Sequence, residues 1–182
     1  MAVERVEARL KRVVGALEQA GVPYAVVGGN AVAAWVAQAD PSATRATKDV
    51  DLLVRRADLA RVTAALEGAG LRRETLRDLV LFVDPSEPSR RAGVHLVWAG
   101  EHVRPSYTVA APDVAEAERS AEGFRVLSLA ALVRMKLTSF RDIDRVHVAD
   151  LLAVGLIDDG IRQTLPAELQ SRLNEIERSA ES

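Results

Sequence analysis

Cysteine is absent from the 182-residue chain, which excludes disulfides and thiolate metal sites and fits a cytoplasmic protein. No apolar stretch approaches the roughly 20 residues needed to cross a bilayer, so no membrane partner is expected. The N-terminus opens with Glu4, Glu7, Arg9 and Lys11 and lacks the apolar region of a secretory signal. Net charge is nearly absent too: the formal value of −2 offers no global attraction to nucleic acid. The pairs Arg55-Arg56, Arg72-Arg73 and Arg90-Arg91 read as solvated surface rather than an RNA footprint. Tryptophan is scarce, and Trp35 and Trp98 are assigned to the core rather than to base stacking. No internal repeat and no low-complexity linker divides the chain. What remains is 48% hydrophobic and 27% charged, the make-up of one packed globular domain, with or without a helical appendage.

The apolar positions Val6, Leu10, Val13, Val14 and Leu17 recur at helical spacing, and Gly21 and Pro23 end that helix. Tyr24 to Val27 reads as a short buried strand that stops at Gly28-Gly29, after which Asn30 can cap a helix over 31–39. A polar loop over 42–48 leads to a strand over 49–54, followed by an amphipathic helix over 57–69. Leu79 to Val83 and Gly93 to Trp98 complete a set of about four strands. Beyond Gly100 the pattern turns helical, with helices from Ser128, over 143–154 and over 166–176, and a frayed polar tail over 177–182. The expected fold is α/β (α+β): a short mixed sheet flanked by helices, with a mixed core over 1–110 and a C-terminal helical part over 111–182 that closes a cleft.

Two local patterns carry chemistry. Gly28-Gly29-Asn30 joins a strand to a helix, where glycines let the backbone approach a phosphate and a helix N-terminus offers free N–H groups; taken alone, the same residues make a tight turn. Asp49-Val50-Asp51 begins a strand, so both carboxylates point to one face and can converge on a divalent cation; taken alone, they are a solvated strand end. Carboxylates that close repel unless a metal, a proton or a cation neutralises them. The combination is more specific than either part: strand, Gly-Gly, helix, a loop with Arg45 and Thr47, then Asp-x-Asp on a strand.

That combination, GGNAVAAW followed by RATKDVDLLV, resembles the nucleotidyltransferase fold, especially small bacterial members related to AbiE-type toxins. The resemblance extends to VLSLAALVRMKLTSFRDIDRVHVADLL and covers much of residues 24–155. It implies that Gly28 and Gly29, with Asn30, hold an NTP, that Asp49 and Asp51 bind Mg²⁺ (or Mn²⁺), and that Arg45 and Thr47 support the nucleotide from the loop. It also implies that Lys136 pairs with the triphosphate; without the resemblance, Lys136 reads as a surface lysine. The family usually adds a third carboxylate on a later strand. Here that place falls to His95, which suits Mn²⁺ or Zn²⁺ better than Mg²⁺, can act as a base, or marks weakened activity; the bland reading is a half-buried structural histidine. Asp84 is another candidate for the missing acid.

Asp144, His147 and Asp150 recur at three-residue spacing and fan around about a third of a helix circumference. Asp150 and His147 are assigned to the site, the alternative being the polar side of a helix that buries Val148, Leu151 and Leu152. The expected activity is metal-dependent transfer of NMP from an NTP to a hydroxyl on tRNA, a protein or a small molecule such as an aminoglycoside. A toxin-like role with an antitoxin partner belongs to the same expectation. The competing readings are a degenerate nucleotide-binding or interaction module, favoured by His95, and a structural domain with no nucleotide site, which leaves the polar cluster unexplained.

Overall fold

A computed structural model describes residues 2–180. Its helices are α1 (Ala2–Gln19), α2 (Gly28–Ala39), α3 (Leu59–Gly68), α4 (Leu129–Ser139), α5 (Asp142–Ala153), α6 (Asp159–Thr164) and α7 (Ala167–Ala180). Its strands are β1 (Ala25–Val27), β2 (Val50–Val54), β3 (Arg72–Leu76), β4 (Leu79–Val83), β5 (Val94–Trp98), β6 (Ala117–Arg119) and β7 (Arg125–Leu127). All seven strands join one sheet in the order β3-β4-β5-β2-β1-β7-β6. The sheet is mixed: β2 runs parallel to β5 and β1 parallel to β7, while β1–β2, β3–β4, β4–β5 and β6–β7 are antiparallel. The architecture is thus the mixed α/β arrangement expected, with a longer sheet.

The expectation of about four strands is corrected to seven among the described residues, and the reason is compositional. Strands β3 (RRETL) and β6 (AER) are the two edges of the sheet, and their residues are largely exposed and charged. Charged side chains on an edge discourage pairing with other chains, but they erase the apolar alternation by which a strand is read. Strand β7 is three residues long and opens on Arg125, so it lacks the wholly apolar run that marks the equally short β1. The central strands read well because they are apolar: Val26, Val27, Val50, Leu52, Leu53 and Val94 are fully buried.

Helix α1 buries the predicted stripe, with Val13 and Leu17 wholly inside. It ends where Gly21 turns to φ +60° and Val22 N–H donates to the carbonyl of Leu17, a close that favours glycine. Helix α1 packs on α3, and α2 lies against β1, β2 and β7 while its other side meets α4 and α5. Trp35 on α2 donates its indole N–H to the carbonyl of Leu127 at 3.0 Å, tying the helix to β7. Tyr24 is buried, and its hydroxyl bridges Glu18 and the Arg125 amide; burial pushes its pKa up to about 12. Leu132, Leu137, Leu151, Leu169 and Leu173 weld α4, α5 and α7 into the same core. Helix α7 runs on through Ala180, so 177–180 are helical rather than a frayed tail, and 181–182 lie outside the described residues. Helix α6, absent from the sequence reading, has only six residues. Among the described residues, no helix is long and apolar enough to cross a membrane.

Candidate active site

The site lies where β1 ends and β2 and β5 begin. Val27 pairs with Asp51 across β1–β2, and Asp51 pairs with His95 across β2–β5, so the three central strands bring their polar ends together. Gly28 follows Val27 at φ +67°, a conformation that disfavours side chains. Space forbids one as well: a Cβ there would meet Asp51 Oδ2 at 2.0 Å. Gly29 is nearly as tight, since a Cβ would lie 3.0 Å from Thr47 Oγ1. The two glycines therefore let α2 start directly against the Asp51 carboxylate and the Thr47 hydroxyl.

Asn30 does not cap α2. The helix begins two residues earlier, at Gly28, with no side chain capping it, because the left-handed turn at Gly28 carries the chain straight from strand into helix. The Asn30 amide instead donates to the carbonyl of Asp49 at 2.6 Å and pins the start of β2 to α2. The uncapped first turn of α2 faces Asp51 and Thr47 with its N–H groups available to an anion.

Asp49, Asp51 and His95 offer one ligand atom each, all within 4.8 Å of one another, and all three side chains are half-buried. Thr47 donates its hydroxyl to Asp49 Oδ1 at 2.9 Å, leaving Oδ2 turned toward the imidazole. His95 Nδ1 lies 3.6 Å from Asp49 Oδ2 and 3.4 Å from Asp51 Oδ1, while Nε2 is 2.8 Å from the carbonyl of Arg90. A carbonyl only accepts, so Nε2 carries a proton. The Asp51 carboxylate raises the pKa of His95; burial opposes the shift, and the Arg90 carbonyl and the charge of Asp49 add to it. The donor set fits a divalent cation: two carboxylates and an imidazole nitrogen facing a common point, next to a helix start that glycine keeps open.

The helical half places the remaining candidates. Lys136 is buried rather than on the surface, and its ammonium lies 2.9 Å from Asp144 Oδ1. Asp144 also accepts from Ser139 Oγ at 2.6 Å and from Arg141 Nε at 2.7 Å. Burial pushes the Asp144 carboxyl up, but Arg141, Lys136 and Ser139 together hold it well below the usual carboxylate range. The three-residue fan therefore divides. Asp144 turns inward as the anchor of two cations, while His147 and Asp150 line a narrow cleft with Gly29, Val32, Arg45 and Thr47, of about 20 Å³. Arg45 Nε pairs with Asp150 Oδ2 across it at 2.6 Å. His147 is driven down to about 4 by burial, with Lys136 adding to the effect, so its ring is neutral, and its buried Nδ1 has no hydrogen-bond partner among the described residues. Asp84 stands outside the three-residue cluster, its carboxylate taken by Arg12 at 2.6 Å and by Ser86.

Two contributors escaped the sequence reading. Arg141, in the turn between α4 and α5, is close enough to Asp51 for that charge to raise its pKa, although its bond to Asp144 is the larger cause. An acidic residue three positions on, at the start of a helix, was its only signal. The second is the Arg90 carbonyl behind His95, a main-chain group that no side-chain pattern announces.

Comparison with known proteins gives a family and a fold. Residues 2–133 match the model of a family described as uncharacterised nucleotidyltransferase, and the chain belongs to that family. No curated protein matches the sequence. Among solved structures, the fold is similar to the antibiotic-resistance factor ANT(2'')-Ia in complex with adenylyl-2''-tobramycin, with a TM-score of 0.56 and 17% identity over 98% of this chain and 99% of that one. The solution structure of ANT(2'')-Ia gives a TM-score of 0.54, again at 17% identity, over 99% of this chain and 86% of that one. At this identity the likeness establishes a shared fold.

Proposed function

We propose that the chain transfers a nucleoside monophosphate from an NTP to an acceptor hydroxyl at the Asp49–Asp51–His95 cluster, with a divalent cation as cofactor. The observation that carries this reading is the convergence of three ligand atoms within 4.8 Å at the start of β2 and β5, directly against the glycine-opened N-terminus of α2. Asp49, Asp51 and His95 would hold the cation, which when bound neutralises phosphate oxygens and activates the attacking hydroxyl. The chain's own groups do the rest. Thr47 and Asn30 fix Asp49 from its side chain and its carbonyl. The first turn of α2 receives phosphate oxygens on its N–H groups. Arg141 and Lys136, both held by Asp144, supply positive charge on the helical side, and Arg45 supplies it from the loop.

The acceptor is a hydroxyl on a small molecule, a protein or tRNA; the similarity to ANT(2'')-Ia, a structure in complex with adenylyl-2''-tobramycin, supports the small-molecule option. If the acceptor is tRNA or a protein, the resemblance to AbiE-type toxins adds a growth-inhibiting role and an antitoxin partner. One observation favours a second reading, a nucleotide-binding module without turnover: His95 stands where a third carboxylate is usual. The deciding experiment is calorimetric binding of each NTP with Mg²⁺ and with Mn²⁺, comparing wild type with the Asp49→Ala/Asp51→Ala double variant, followed by assay of pyrophosphate release. Metal-dependent binding that the double variant loses, together with pyrophosphate release, upholds transfer. Binding without release from any NTP in the presence of RNA, protein and aminoglycoside acceptors favours the module, and no binding by a folded wild type removes both.

A further inference from the structure

The His95 corner bears on which cation the cluster would take. Its ring is fixed from behind, because Nε2 donates to the Arg90 carbonyl at 2.8 Å. That bond leaves Nδ1 as the nitrogen aimed at the carboxylates. Histidines that ligate metals are typically held this way, donating the other ring N–H to a backbone carbonyl or carboxylate that sets tautomer and orientation. Each carboxylate likewise has one oxygen turned to Nδ1. Asp49 gives Oδ1 to Thr47, and Asp51 packs Oδ2 over Gly28, leaving Asp49 Oδ2 and Asp51 Oδ1 to face the imidazole.

The separations fit ligands that share an ion better than ligands bonded to each other. Nδ1 lies 3.4 and 3.6 Å from the two oxygens, longer than a charge-assisted N–H···O bond of about 2.7–2.9 Å. Ligands about 2.1 Å from one ion stand about 3.0 Å apart at right angles and about 3.4 Å apart at a tetrahedral angle. The observed spacing lies at the wide, tetrahedral end. Mg²⁺ demands oxygen ligands in octahedral array, whereas one imidazole and two carboxylates in a wide arrangement suit a borderline first-row ion.

We propose that Asp49, Asp51 and His95 form a mixed nitrogen–oxygen site that selects a transition ion such as Co²⁺ or Zn²⁺, with Mn²⁺ next, over Mg²⁺. The inference rests on the reading of Asp49 and Asp51 as the metal-holding pair. It also explains why the third corner can depart from a carboxylate and remain a ligand. The other role open to the same ring is a permanent counter-cation that takes the place of the metal, and the two roles separate experimentally.

The test titrates the full chain with Zn²⁺, Co²⁺, Mn²⁺ and Mg²⁺ alone in a calorimeter, for wild type and for His95→Asp, and records the electron spin echo of the Mn²⁺-loaded wild type. Wild type is expected to bind Zn²⁺ and Co²⁺ at least about 10-fold more tightly than Mg²⁺, and His95→Asp is expected to erase most of that preference. The spin echo should show modulation from a directly bonded nitrogen. An unchanged Zn²⁺-to-Mg²⁺ ratio in His95→Asp, or no nitrogen modulation in wild type, overturns the proposal; the second readout needs no variant. Tighter metal binding in His95→Ala than in wild type identifies the counter-cation and also overturns it. Nucleotidyl transfer without nitrogen modulation sinks this inference and leaves the proposed reaction standing, whereas nitrogen-bound metal without transfer does the reverse.

Discussion

Two neighbouring groups of charges, joined through Arg141, are wired in opposite ways. In the helical half, Asp144 is buried and every lone pair has a claimant: Lys136 and Arg141 on Oδ1, and Ser139, Arg141 Nε and the Arg141 amide on Oδ2. At the sheet end, Asp49 and Asp51 are half-buried, and each presents an oxygen to a ring nitrogen 3.4 to 3.6 Å away. A buried charge that is fully satisfied holds its partners in place, and losing one partner is costly. A charge cluster left loosely satisfied beside an open helix end has bonding capacity in hand for a ligand. Residue type alone does not separate the two, since both are acidic residues beside cationic ones.

The sharpest way to challenge this contrast is to remove a carboxylate from each group. Asp144→Ala leaves the Lys136 ammonium buried without its partner and frees Arg141 from its anchor, so unfolding free energy should fall by about 3–5 kcal/mol in urea titrations. Asp49→Ala/Asp51→Ala removes two carboxylates that repel in the metal-free protein, so its stability should stay level or rise. The same double variant should lose at least about 100-fold in nucleotidyl transfer, the scale of losing a key electrostatic stabiliser. A double variant as unstable as Asp144→Ala would show that the sheet cluster is structural too.

Gly28→Ala tests the boundary between scaffold and site. The substitution forces a side chain into positive φ and onto the Asp51 carboxylate. We expect a loss of about 1–3 kcal/mol from strain at that position, accompanied by loss of metal binding as Asp51 is displaced. Gly29→Ala, which meets the Thr47 side chain at 3.0 Å and the His147 ring at 3.7 Å but no metal-cluster carboxylate, should cost less and keep the metal. Equal loss of metal binding in the two would mean that the first turn of α2, rather than Asp51, is what the glycines protect.

The sequence disclosed the parts of this arrangement that rest on strong local chemistry. Apolar runs announced β1, β2, β4 and β5, and Gly-Gly with Asp-x-Asp announced the candidate site, because each needs particular residue types at fixed spacing. Polar edge strands β3 and β6 stayed hidden, since the devices that protect an edge also remove the strand pattern. The pairing of Lys136 with Asp144 was hidden for another reason: eight residues apart across a turn, they meet only because Phe140 closes α4 in a left-handed conformation, its ring held between Arg145 and Arg172. Asp144, His147 and Asp150 looked alike by spacing, and only tertiary packing assigned one to the interior and two to the cleft.

His147 offers a smaller, pH-dependent effect on the cleft side. Its folded pKa of about 4 lies below its ordinary 6.5 because burial, with the charges of Lys136 and Arg141, outweighs the pull of Asp144 and Asp150. The unfolded chain therefore binds a proton first, and stability should decline as pH falls from about 6.5 to about 4. His95, with a raised pKa, acts in the opposite sense and above 6.5, while Asp144 is lost only as pH falls below the ordinary carboxylate range. His147→Asn should thus flatten the acid limb between pH 6.5 and 4 in urea titrations and leave the slope above pH 7 unchanged. A limb of unchanged slope would assign that titration elsewhere.

The smallest stability effect belongs to Arg45, and it asks which member of the cleft pair meets the nucleotide. Arg45 is 62% exposed while its partner Asp150 is 16% exposed. An exposed ion pair of this kind adds little to folding, because solvent competes for the guanidinium. Arg45→Ala should accordingly leave the melting temperature nearly unchanged. For the same reason the pair is exchangeable: under the proposed function, a triphosphate at α2 would take the guanidinium from Asp150 at little cost. Asp150→Asn, which releases Arg45 in advance, should then tighten NTP binding by about 2- to 5-fold, and Arg45→Ala should weaken it by a similar factor. If Asp150→Asn weakens binding as Arg45→Ala does, Asp150 itself contacts the nucleotide, and the pair is a joint binding element rather than a latch that the phosphate opens.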